Sequence, residues 1–291
     1  MVMTRKQKRD VETDIVAGVI AQLEAGLAPW RRSWTTIGGR ALRENGKPYR
    51  GFNQFILSLA GRTNPFWLTY RKAAALGGQV RKGETSTHVH FFKQWEIKDV
   101  ATGEDKTVPL IRFYAVFNAE QVDGLPPRYY PEADAEPRNS GARLSDADVY
   151  INSTGADISY GGDRALYRPT SDQVRIPHWR DFDSPVAFYG TLLHELGHWT
   201  GHKSRLDRDL KNGFGSRDYA REELIAELVA SFQCAHLGIE NTVREDHAQY
   251  IQSWISLLKD DKTALRKACS AAQKAVDFLD DLQPEKKEEA A

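Results

Sequence analysis

The chain has 291 residues, of which 41% are hydrophobic and 27% charged, with 40 Lys+Arg balanced by 40 Asp+Glu. This length provides for two ordinary domains with cores of their own, and the composition excludes a disordered or fibrous chain. No apolar run approaches the ~20 residues that cross a bilayer, so no membrane partner is expected.

The neutral total hides a split. Residues 1–140 hold 21 basic against 15 acidic side chains, and the remainder holds 19 against 25. A polyanionic partner for the first half and different work for the second is the simplest reading. The basic N-terminus MVMTRKQKRD is followed by no uninterrupted apolar stretch, so no secretory signal is read. The two cysteines, Cys234 and Cys269, form no CxxC pair, and a reduced, cytoplasmic protein is expected.

Along the chain, Val11, Ile15, Val19 and Leu23 recur every four residues and predict a helix stopped by Gly26. PWRRSW follows, rich in aromatics and arginine. WLTYRKAAALGG predicts a short strand, then a helix capped by Thr69 and ended at Gly77-Gly78. THVHFFKQWEIKDV and KTVPLIRFYAVF predict two strands joined at ATGED. Residues 124–141 contain four prolines and suggest a linker. Beyond it, ARLSDADVYINSTG predicts a helix and turn, and ADISYGGDRALYRPTSDQVRIP predicts strands broken at Gly161-Gly162. A helix over DSPVAFYGTLLHELGHWTG is capped by Asp183 or Ser184, and a longer one is capped by Ser216 and stopped by Gly238. Residues 244–281 are read as helical and the tail as disordered. The expected fold class is α+β in two domains, 1–125 and 142–285, joined by a linker over 126–141.

His194-Glu195-x-x-His198 places two imidazoles one helical turn apart on one face, the spacing at which both reach one ion. Glu195 then stands where it can take a proton from water activated by the metal, as a catalytic base. A third ligand is needed. His202 fails on a straight helix, since it lies about 12 Å along the axis from His194 at about 1.5 Å per residue. A helix broken at Gly201, as in HExxHxxGxxH, requires a histidine at 204, where the chain has Ser204. The following helix offers REELIAEL. Glu223 and Glu227 share a face that continues through the small residues Ala226, Ala230 and Cys234, which allow two helices to approach closely. Glu223 is favoured as the third ligand, with Glu227 orienting a ligand histidine, and Glu222 competes for the ligand role. Three protein ligands leave an open position for chemistry, with Zn²⁺ the default divalent ion for such a set.

Residues 29–93 combine twelve basic side chains with only Glu44 and Glu84, and with ten aromatics. Cations along a backbone and flat rings for unpaired bases are what single-stranded DNA requires. Phe52, Phe55, Phe91 and Phe92 are read as core, and His88 and His90 as structural. The candidate DNA-binding residues are Trp30, Arg31, Arg32 and Trp34, then Tyr49 and Arg50, Tyr70, Arg71 and Lys72, and Arg81 and Lys82.

PWRRSW, ENGKPYRGFNQFIL and WLTYRKAAALGGQVRKGE resemble the N-terminal domain of ArdC-type antirestriction proteins. YGGDRALY, HELGHWTGHKSRLDR and EELIAEL resemble the zincin-like metallopeptidase domain that follows it. The resemblance covers nearly the whole chain. It implies single-stranded-DNA binding, protection of incoming plasmid DNA from restriction in the recipient cell, His194 and His198 as metal ligands, Glu195 as base and a glutamate of EELIAEL as third ligand. The protein substrate it implies is unknown, with the host restriction system one source. Two other roles stay open: a binding protein that protects by occlusion around a metal scaffold, and a metallohydrolase acting on the DNA itself.

Overall fold

In the computed structural model, residues 10–31, 39–98, 105–131, 144–210, 215–239 and 248–284 are described. The chain opens with helix α1 (Val11–Glu24), whose N-cap Asp10 accepts from the Thr13 N–H. Its buried face is Val16, Val19 and Leu23, and Gly26 ends it in the left-handed region at φ 77°. A one-turn 3₁₀ segment, Pro29–Arg31, follows. Then come strand β1 (Leu42–Arg43) and helix α2 (Gly51–Leu59). α2 is not among the elements expected above, although Phe52, Phe55, Ile56 and Leu59 stand at helical spacing along it. Strand β2 (Phe66–Leu68) leads into helix α3 (Tyr70–Ala75), capped by the Thr69 hydroxyl, which accepts from Lys72 N–H.

Strand β3 (Gln79–Val80) precedes the long hairpin of β4 (Thr87–Lys98) and β5 (Asp105–Asn118), and β6 (Val122–Asp123) returns to pair with β3. The main sheet runs β1-β2-β5-β4. β2 meets β5 only at Phe117 and Asn118, whereas the β4–β5 register extends from Thr87↔Val116 to Lys98↔Asp105. The hairpin therefore projects beyond the rest of its sheet.

The described part of the proline-rich segment is packed chain. Tyr129 is buried in a small core with Leu68, Val80, Val122 and Leu125, and its hydroxyl donates to the Glu44 carbonyl at 2.9 Å. An aromatic ring with a polar tip explains why residues 126–131 of the expected linker adhere to the first unit. Residues 132–143 lie outside the described residues.

The second unit begins with α4 (Ser145–Ser153) and a three-stranded sheet of β7 (Asp157–Tyr160), β8 (Leu166–Arg168) and β9 (Gln173–Ile176), in the order β7-β9-β8. Helices α5 (Pro185–Trp199), α6 (Arg217–Leu237), α7 (Ala248–Asp260) and α8 (Ala264–Asp281) complete it. Ser184 caps α5, with Pro185 at its first position, Ser216 caps α6, and Gly238 ends α6 at φ 65°. Among the described residues, no helix is long and apolar enough to cross a membrane.

The architecture is mixed α/β. Its largest core is not confined to the second unit. Val16, Val19, Leu23, Trp30, Phe52 and Phe55 join Leu192, Leu196, Leu228, Trp254, Leu265 and Leu279 in one cluster. Ion pairs link Glu24 to Lys259 and Asp10 to Lys262, and Arg40 to Asp280. Gly51 turns onto α8 at φ 52°, its N–H donating to Gln273 at 2.7 Å. Helix α1 thus packs on α7, α2 on α8, and the Pro29–Arg31 turn on α6.

Candidate metal centre

α5 and α6 approach closely because of Gly197, inside HELGH. A Cβ there would stand 3.1 Å from the Ala226 Cα. The glycine lies against Ala226, one turn after Glu223, and this close approach brings the second helix's carboxylates to the first helix's imidazoles. His194, His198 and Glu223 each offer a ligand atom, and these atoms lie within 4.8 Å of one another. The two Nε2 atoms are 3.2 Å apart, and the Glu223 oxygens lie 3.5 Å from His194 Nε2 and 3.6 Å from His198 Nε2. Burial pushes the Glu223 carboxyl up, but the charge of His198 and hydrogen bonds from His194 and Tyr219 outweigh it and bring it down to about 2. Two nitrogens and a carboxylate oxygen converging in a buried space fit a divalent cation.

Glu222 and Glu223, left as competitors by the sequence, occupy different places. Glu222 stands behind His198, with Oε1 3.2 Å from Nδ1. It is gripped by Arg208, whose Nε and Nη2 donate to its two oxygens at 3.0 and 2.9 Å. Arg208 also donates to the Gly197 carbonyl and to the Thr200 hydroxyl, placing a cation at the C-terminal end of α5. Burial raises the Glu222 carboxyl, and the hydrogen bonds from His198 and Arg208 outweigh it, so it titrates below the usual carboxylate range. On the other histidine, Glu227 Oε1 lies 2.9 Å from His194 Nδ1, without the alignment of a hydrogen bond. A carboxylate at each Nδ1 favours the proton there, leaving each Nε2 lone pair to face the shared space.

Glu195 is buried and lines the same cleft, a space of about 240 Å³ bounded also by Leu166, Tyr167, Pro169, Tyr219 and Tyr250. The Tyr219 hydroxyl hydrogen-bonds Glu223 and lies 3.1 Å from that of Tyr250. Burial, first, and these partners push its ionisation up. α5 ends at Trp199, the chain turns at Gly201, and His202 bonds the Ser204 hydroxyl through Nδ1 at 2.7 Å. His202 is not part of the converging group.

The basic, aromatic candidates separate into three sets. Trp30 and Tyr49 are buried, at 2% and 4% exposure. Neither ring face is open to a base, because Trp30 packs edge-on to Trp254 and Tyr49 sits in a core with Trp67 and Val116. Arg32 and Trp34 lie outside the described residues, as does the side chain of Arg31. The rest are at the surface. Arg50 pairs with Asp277, Lys72 with Glu44, and Arg81 with Glu84 and Asp123. Tyr70 is 53% exposed beside Arg71, and Lys82 is exposed nearby in sequence. Phe91, expected in the core, is 49% exposed. It shares the face of the buried Val89 but falls where the hairpin has run past β2, and it stays half exposed among the described residues. His90 bonds Asn53 through Nδ1 at 2.8 Å, and His88 is exposed.

Sequence reasoning missed Arg208 and Tyr219, and placed Trp30 with the wrong partner. The second arginine of HKSRLDR, Arg208, lies fourteen residues before Glu222, and no helical period links them.

Residues 9–117 match the family profile of the N-terminal domain of the anti-restriction factor ArdC, and residues 145–271 match that of a zincin-like metallopeptidase. The fold is similar to the metal-free crystal structure of the antirestriction ArdC protein of plasmid R388, at 42% identity and a TM-score of 0.81, covering 94% of this chain and 98% of that one. The Mn(II)-bound structure of the R388 protein matches at 39% identity and a TM-score of 0.76 over the same shares. An uncharacterised Sinorhizobium fredii protein is 38% identical over 95% of this chain and 93% of its own length. Two Escherichia coli proteins called DNA primase TraC are 37% and 39% identical over 94% of this chain, which spans only 20% and 27% of their lengths.

Proposed function

This chain belongs to the ArdC family of antirestriction proteins, and on that premise we propose that it joins a single-stranded-DNA-binding module to a divalent-metal-dependent peptidase of the His2Glu type. It acts in the cytoplasm of a recipient cell, protecting incoming plasmid DNA. The observation that carries the peptidase reading is the buried convergence of His194, His198 and Glu223 beside Glu195 in an open cleft. A purely structural ion needs four protein ligands and no adjacent base.

In this reading His194, His198 and Glu223 hold the ion, which we assign as zinc, and Glu222 and Glu227 fix the two imidazoles. When bound, the ion supplies Lewis acidity towards water and a carbonyl oxygen. Glu195 takes the proton from the attacking water and passes it to the leaving amine. Tyr219 holds Glu223 through its hydroxyl. Among the described residues β8 is an edge strand, and its residues Leu166 and Tyr167 border the cleft, so its outward backbone groups are placed to pair with an extended polypeptide. That favours peptide over nucleotide as the substrate of this cleft, which is lined by Glu195, Asp209, Glu222, Glu223 and Glu227 and would repel phosphates.

The test uses zinc-loaded full-length protein and a labelled unfolded polypeptide. Glu195→Ala at matched metal content is expected to lower hydrolysis by about 10²- to 10⁴-fold. Undiminished hydrolysis in that variant overturns the assignment. Cleavage of labelled single strands by the same preparation would instead support action on the DNA.

A further inference from the structure

Trp30 comes from the opposite end of the chain, 197 residues before Glu227, yet its indole Nε1–H donates to Glu227 Oε2 at 3.2 Å. The other oxygen of the same carboxylate faces His194 Nδ1. Ser231, one turn further along α6, donates its hydroxyl to the Trp30 carbonyl at 2.8 Å. Glu227 and Ser231 are i, i+4 neighbours on one helix face, so they grip the side chain and the backbone of the same residue. The indole also packs edge to face with Trp254, with ring centroids 5.1 Å apart at 78°. A buried carboxylate is costly without donors, and Glu227 is 2% exposed.

We propose that Trp30 is a positioning residue of the metal centre: its N–H fixes the rotation of Glu227, which in turn keeps a carboxylate oxygen 2.9 Å from His194 Nδ1. This rests on the metal reading of His194, His198 and Glu223. The centre is then assembled from both family-matched portions, since Trp30 lies within residues 9–117 and every ligand within 145–271. The same logic operates on the other histidine, where Arg208 holds Glu222 against His198. That clamp comes from the same portion as the ligand, whereas Trp30 ties the histidine to the segment that opens into PWRRSW. Loss of the indole N–H removes one fixed donor to Oε2 and loosens the rotation that presents Oε1 to His194.

The experiment titrates the metal-free full chain with Co(II) and reads its visible absorption. Trp30→Phe keeps a ring in the core and removes the donor. It is expected to weaken Co(II) binding roughly 10- to 100-fold, the cost of losing a group that orients a ligand, and to alter the absorption envelope. Trp254→Phe disturbs the same core, but its N–H serves the Ala220 carbonyl, and it is expected to bind Co(II) as the unmodified protein does. Replacing Trp30 by its sulfur isostere, benzothienylalanine, removes the N–H at constant shape and serves where the phenylalanine variant fails to fold. Unchanged Co(II) affinity and spectrum in the isostere, or an equal loss in Trp254→Phe, overturns the proposal. His194→Ala with His198→Ala checks the reading beneath it: a Co(II) signal surviving there places the metal elsewhere and removes the metal reading itself.

Discussion

The two acid-rich turns of α6 and the basic, aromatic stretch of residues 29–93 carried equally pointed signals in the sequence, yet they translate into structure very differently. On α6, three glutamates within six residues each take a separate post: Glu223 with the two Nε2 atoms, Glu222 behind His198 and Glu227 behind His194. Helical spacing separates them: Glu223 and Glu227, four apart, share a face, whereas Glu222, next to Glu223, is turned by about 100° around the helix. In residues 29–93 no such rule acts. Aromatics adjacent to arginines went both inward, as Trp30 and Tyr49, and outward, as Tyr70. A ring beside a cation in sequence can serve a core or a ligand, and composition does not distinguish them.

The sharpest test of this comparison separates Glu223 from Glu222. Glu223→Ala is expected to abolish stoichiometric zinc binding measured by calorimetry, while Glu222→Ala weakens it about 10- to 100-fold. Equal losses would break the division of labour along the helix.

The aromatic contrast comes next. Tyr49→Ala is expected to cost about 3–5 kcal/mol in chemical unfolding, by analogy with other large core truncations. Tyr70→Ala is expected to leave unfolding within about 0.5 kcal/mol yet weaken binding of a labelled single strand by about 1–3 kcal/mol. If Tyr70→Ala binds DNA normally, base stacking lies elsewhere. Arg71 and Lys82 are exposed cations with no ion pair among the described residues. Removing each is expected to lower the slope of log K against log salt by about 0.7, one phosphate contact on a single strand.

The smallest effect concerns the tie between Arg40 and α8. Asp280 accepts from Arg40 at 3.0 Å and from Tyr150 at 2.7 Å. Burial pushes its carboxyl up, but Arg40, Tyr150 and Gln233 outweigh that and hold it below its ordinary 3.8. A depressed folded value means that the stabilisation is present above about 3.8 and is lost as pH falls through the folded value. Asp280→Asn is therefore expected to melt lower than the unmodified protein at neutral pH, the gap closing in strong acid. A gap that persists at the acid end would show that its origin is not ionic.

Much of the molecule follows from local chemistry. Ser184, Ser216 and Thr69 cap the helices they precede, Gly26 and Gly238 end theirs, and the hairpin strands lie where alternation places them. These rest on backbone preferences within a few residues and need no tertiary context. The HELGH spacing and the small face of α6 are likewise local, and they suffice to name His194, His198 and the glutamates. What the sequence left open was decided by chain segments remote in number. Arg208 claimed Glu222, which left Glu223 to the imidazoles. Trp30 claimed Glu227 from 197 residues away. Tyr129 drew the start of the expected linker into a core, and the overhang of the hairpin exposed Phe91. In each case the deciding partner was a buried polar group needing a donor, or an apolar surface needing cover, and those needs are met by whatever the fold brings near.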